Sequence, residues 1–152
     1  MARHPSESDA YLIARVLAYA LEFTEGINFS RGGLSDSEEP AILVRDLTGA
    51  IRVWIEVGMP DAARLHKAAK SAPRVAVYTH KDPVQLVNRL SGERIHRAEA
   101  LELYAIDRDL VAGLVARLDR RMGFALSVAE RELYVSIGSE TLTGKVVRHA
   151  FS

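Results

Sequence analysis

Glu56 stands between Ile55 and Val57 in "AIRVWIEVG", a run that otherwise reads as an apolar β-strand. A buried ionised carboxylate is expensive unless it is paired with a cation or binds a metal. The sequence holds candidates for both. The most acidic stretch of the chain, "SDSEEP", carries Asp36, Glu38 and Glu39. The helix-like run "DAARLHKAAKSA" carries Lys67 and Lys70 at i and i+3, with Arg64 three residues before Lys67. Carboxylates gathered within a few ångströms repel one another, and the pKa of at least one rises. A divalent cation with oxygen ligands, Mg2+ or Mn2+, relieves that repulsion. A lysine leaning back over the strand end then orients a metal-bound water or steadies a phosphate oxyanion. This is the chemistry of metal-dependent phosphodiester hydrolysis. The competing reading of the same residues is a structural ion pair of Glu56 with Lys67 or Arg64.

The elements that must bring these groups together are two short β-like runs, "AILVRD" and "AIRVWIEVG", joined by Leu47-Thr48-Gly49. A turn centred on Thr48-Gly49 pairs residues whose numbers sum to about 97. Ile42, Val44, Ile51, Val53, Ile55 and Val57 then share one face, Leu43 and Trp54 the other, with Arg45 beside Arg52. Glu56 falls opposite Ala41, where the chain arrives from "SDSEEP".

Around this hairpin the spacing predicts further elements. "SESDAYLIARVLAYALEF" has helical period, with a stripe of Leu12, Val16, Tyr19 and Phe23 widened by Ile13, Leu17 and Ala20. Ser6 and Asp9 resemble a capping box. Residues 24–40 read as a loop whose glycines lack the Lys-Ser/Thr of a P-loop. Pro60 fits the first turn of the next helix. "RVAVYTH" is a central strand, "DPVQLVNRLSGE" a helix, and "LELYAID" a strand. Asp107 caps the helix "RDLVAGLVARLDRR", and the tail alternates like a hairpin or meander. The expectation is one α/β domain over residues 1–152 with a mixed β-sheet and flanking helices.

Composition bounds the function classes. The chain has 152 residues, 48% of them hydrophobic and 26% charged, enough for a real core. There is no cysteine, which excludes disulfides, thiolate zinc sites and cysteine nucleophiles. No apolar run suits a membrane span, and the start "MARHPSESDA" has no signal-peptide core, so no membrane partner and a cytoplasmic location are expected. Net charge is zero, but residues 1–60 hold nine acids and five bases, and the remainder eleven acids and fifteen bases. A globally basic nucleic-acid binder is not indicated. His4, His66, His80, His96 and His149 are scattered without paired-ligand spacing, and each reads as a surface or hydrogen-bonded side chain. The cations of "RLDRR" suit a helix C-terminus.

In order along the chain, "ARHPSES", "NFSRGGLSDSEEP", "VWIEVGMPDAARLHKAAK" and "VAVYTH" resemble the YaeQ family of small bacterial proteins. The resemblance covers residues 2–80 and continues more loosely to the C-terminus. The YaeQ family in turn resembles a variant of the PD-(D/E)XK nuclease fold, which implies a helix, a three-strand meander, a helix and a further strand. It also implies a magnesium site with an acid on the first helix, an acid entering the second core strand and an acid-x-lysine on the third. Carried over by position, these acids are Glu7, Glu38 or Glu39, and Glu56. The lysine position is Gly58, so the lysine role passes to the helix, with Lys67 the best candidate. Family members carry strand-like chain ahead of "ARHPSE". Here that strand is expected to be missing, leaving an exposed edge. The resemblance thus implies a nuclease-like protein that acts on nucleic-acid phosphodiesters. The alternative is a non-catalytic member that binds nucleic acid or a protein at the old site.

Overall fold

The computed structural model describes residues 9–29, 41–117, 125–137 and 140–149. Among them the elements run α1 (Asp9–Leu21), β1 (Ile27–Phe29), β2 (Ile42–Arg45), β3 (Ile51–Val57), α2 (Ala62–Ser71), β4 (Arg74–Thr79), α3 (Pro83–Leu90), β5 (Glu102–Ile106), α4 (Arg108–Ala116), β6 (Ala125–Ala129), β7 (Glu132–Ile137) and β8 (Glu140–His149). The eight strands form a mixed sheet in the order β1-β2-β3-β4-β5-β8-β7-β6. The pairs β3–β4 and β4–β5 are parallel and the rest antiparallel. The expected α/β class with a mixed sheet and flanking helices is present.

The hairpin has the expected register over three pairs: Ile42 with Ile55, Leu43 with Trp54, and Val44 with Val53. A bulge between Val44 and Arg45 then puts Arg45 against Ile51 rather than beside Arg52. Ile51 accordingly leaves the face of Val53 and Ile55 and packs with the layer around Trp54. The Asp46 carboxylate holds the turn, accepting the N–H groups of Thr48 at 2.9 Å and Ala50 at 3.1 Å. Ile27–Phe29, read as loop from the sequence, is the edge strand β1 beside β2.

Two layers of helices cover the sheet. α1 and α4 bury Tyr11, Ala14, Leu17, Leu110 and Leu114 against Ile55, Tyr78, Tyr104 and Ile106. α2 and α3 bury Leu65, Ala68, Leu86 and Leu90 against Trp54, Val75, Val77 and Leu103. Each large apolar side chain so buried contributes roughly 1.5–3 kcal/mol. α1 turns a different stripe inward from the one periodicity suggests. Tyr11, Ile13, Ala14, Leu17 and Ala18 are buried, Leu12 and Val16 are only partly covered, and Phe23, two residues past the helix, is exposed. Apolar residues surround this helix, so period alone does not choose the inward face. α2 begins two residues later than expected. Asp61, not Pro60, starts it, accepting the Arg64 N–H at 2.8 Å. Asp107 caps α4 as expected.

Candidate functional site

Glu56 lies near the carboxyl end of β3, on the face covered by α2, and is 3% exposed. Three donors meet its carboxylate. The Trp54 indole N–H donates to Oε2 at 3.0 Å, from the same face of the strand two residues earlier. The Arg64 Nε donates to the same oxygen and completes an ion pair. The Ala41 backbone N–H also favours the charged form. Burial pushes the other way and outweighs them, so the Glu56 pKa is raised above the ordinary carboxylate value. Local structure sets this contact. The Asp61 cap fixes the first turn of α2, which turns Arg64 back over the end of β3. From the opposite layer, Arg15 of α1 donates to the Ala41 carbonyl at 3.2 Å and stacks over Phe29, tying down the entrance to β2.

Of the other residues read from the sequence, Lys67 is half-buried one turn further along α2, and Lys70 is exposed in its last turn. His66 accepts the His96 backbone N–H through Nδ1 at 2.8 Å. Glu7, Asp36, Glu38 and Glu39 lie outside the described residues, as do Ser6 and the arginines at 120 and 121. Among the described residues no three metal-type side chains cluster. A metal centre on Glu56 therefore needs a second acid from outside them. Gly58 has φ +99°, and its N–H donates to the Tyr78 carbonyl at 2.9 Å. A lysine there would be strained, so the backbone itself disfavours an acid-x-lysine at this strand end.

The sequence model of the YaeQ protein family matches residues 1–146. The chain belongs to the YaeQ family. It is 31% identical over 137 residues to the uncharacterised YaeQ protein of Escherichia coli K12, covering 90% of this chain and 75% of that one. The YaeQ protein of Salmonella typhi is 29% identical over the same length. Crystal structures of two further members superpose on the whole chain. The YaeQ protein of Pseudomonas syringae does so with a TM-score of 0.86 at 25% identity over 84% of its length. That of Xanthomonas axonopodis pv. citri gives 0.78 at 27% identity over 86%.

Two features of this YaeQ chain escaped the sequence reading. At the opposite ends of the parallel strands, Arg74 of β4 bridges Glu22 at 2.6 Å and Glu102 of β5 at 2.7 Å. Tyr78 donates to Glu22, and Tyr104 donates to Glu102 at 2.6 Å. The Arg74 guanidinium holds Glu102 down at about 2, while burial and Glu22 push Tyr78 up. The second feature is His80, 8% exposed, with neither ring nitrogen hydrogen-bonded among the described residues. This corrects the expectation that every histidine is at the surface or hydrogen-bonded. No spacing rule signals it, because the burial comes from packing beyond the end of β4.

Proposed function

We propose that this YaeQ-family chain acts on nucleic-acid phosphodiesters as a Mg2+- or Mn2+-dependent nuclease-like protein built on a PD-(D/E)XK core. Glu39 and Glu56, with Glu38 beside them, are the metal-binding acids. Lys67 orients the attacking water or steadies the phosphate oxygen. Glu7, Asp36, Arg64 and Lys70 are supporting groups. The observation that carries this reading is the placement of Glu56. It is a buried carboxylate at the carboxyl end of β3, beside Ala41, where the chain arrives from "SDSEEP", with Arg64 of α2 paired to it. The element order supports it too: a helix, three antiparallel strands, a helix and a parallel strand.

An all-carboxylate donor set suits a hard divalent cation. Such an ion supplies a nucleophilic hydroxide and polarises the phosphoryl oxygen. Arg64 now brings the positive charge that Glu56 requires, so metal binding draws Glu56 away from Arg64. That ion pair favours a second reading, a non-catalytic nuclease-fold protein in which Arg64 permanently replaces the metal and the surface only binds. Thermal unfolding in millimolar Mg2+ or Mn2+ separates the two. The first reading predicts a raised midpoint that Glu56→Gln abolishes. An unchanged midpoint in wild type supports the second.

A further inference from the structure

Arg64 is anchored at its backbone and reaches solvent with its side chain. Its N–H donates to Asp61 at 2.8 Å, so the first turn of α2 is held independently of where the guanidinium lies. The guanidinium pairs with Glu56 through Nε. The Arg64 side chain is 17% exposed and the Glu56 side chain only 4%. An anion arriving from solvent therefore meets the guanidinium before it meets the carboxylate. The same planar fork that suits a carboxylate also suits a phosphate.

Charge then ties two events together. Glu56 Oε2 accepts both the Arg64 Nε–H and the Trp54 indole N–H. If Arg64 turns away, the carboxylate keeps the N–H groups of Trp54 and Ala41, which carry no charge. A buried carboxylate that loses its cation is strongly destabilising. If a divalent cation approaches while Arg64 stays, two positive charges crowd one carboxylate. Each change alone is unfavourable, and the two together keep Glu56 neutralised. A cation that takes Glu56 and an anion that takes Arg64 are therefore coupled positively, equally in both directions.

We propose that Arg64 couples metal to substrate at the Glu56 site: without substrate it holds the carboxylate, and a nucleic-acid phosphate draws its side chain outward and leaves Glu56 to a divalent cation. The inference rests on the reading of Glu56 as a metal-binding acid. It adds a regulation to that reading, since the chain alone then binds Mg2+ weakly and the phosphodiester strand itself readies the site.

The test titrates the intact chain with Mg2+ and follows the Trp54 indole N–H by NMR, a single resonance because the chain has one tryptophan. The titration is run with and without a short phosphorothioate DNA or RNA strand, which resists cleavage. In wild type the strand should lower the Mg2+ midpoint at least about fivefold. Arg64→Gln should bind Mg2+ about fivefold more tightly than wild type without the strand, and the strand should then change its midpoint much less. If Arg64→Gln does not fold, the Arg64 Nε–H resonance of wild type is read instead, and the strand alone should move it. A Trp54 resonance that ignores Mg2+ in wild type, or responds as strongly in Glu56→Gln, overturns the metal reading and this inference with it. A Glu56-dependent response whose midpoint the strand leaves unchanged, or whose coupling survives intact in Arg64→Gln, overturns the coupling alone. So does an Arg64 Nε–H resonance that the strand does not move.

Discussion

Arg64 and Glu56 form an ion pair across the β3–α2 connection, on the same carboxylate oxygen that takes the Trp54 indole N–H. Removing the cation leaves a buried charge, so Arg64→Leu is expected to cost about 3 kcal/mol in denaturant unfolding at pH 7. The double variant with Glu56→Gln should cost less, since the charge is gone. Without Arg64 the Glu56 pKa rises further. The folded state then holds this proton at pH values where the unfolded chain has lost it. The deficit of Arg64→Leu is therefore largest above the folded pKa and shrinks as pH falls and Glu56 is protonated.

His80 gives a pH dependence of the opposite sense. It titrates at about 4 when folded and at about 6.5 otherwise. Between these values the unfolded chain binds more protons, so stability is present above about pH 6.5 and lost as pH falls towards 4. Unfolding curves at pH 7 and pH 4.5 should show it, and His80→Phe should flatten it.

Arg74 joins Glu22 at the end of α1 to Glu102 at the start of β5 through paired N–H groups on both sides. An ammonium lacks that fork. Arg74→Lys is expected to cost roughly 2 kcal/mol despite keeping the charge. Glu102 titrates at about 2 when folded, so its stabilising share is present above about pH 4.5 and fades as pH falls towards 2. Acid unfolding of Glu102→Gln against wild type checks that direction.

Gly144 of β8 lets α4 lie directly on the sheet. A Cβ there would come within 2.8 Å of the Cβ atoms of both Asp107 and Leu110. Gly144→Ala should push α4 outward and cost about 2–3 kcal/mol, read by thermal unfolding.

The legible parts of the structure are those that local chemistry specifies. A single Thr48-Gly49 turn with alternating apolar residues fixed the hairpin register over three pairs, and with it the neighbours Glu56 and Ala41. Asp107 was legible as a cap because capping needs only one side chain and its own helix. The bulge at Val44 and Arg45 was not, since a register slip after the third pair has no composition signal. Three residues of β1 were too few to show period 2. At Glu56 the sequence left Arg64 and Lys67 open as ion-pair partners, because they lie one turn apart on the same helix. The Asp61 cap placed Arg64 against the carboxylate. Arg74 owes its role to partners far away in sequence, and His80 is buried with no hydrogen-bond partner among the described residues, which no local pattern signals.

The most direct measurement of the Glu56 account is cleavage of a labelled DNA and RNA panel in Mg2+ or Mn2+ by wild type, Glu56→Gln and Lys67→Ala, with folding of each checked by circular dichroism. The account predicts metal-dependent cleavage by wild type that is lost in both folded variants. Absence of cleavage by wild type, or robust cleavage surviving both substitutions, would contradict it.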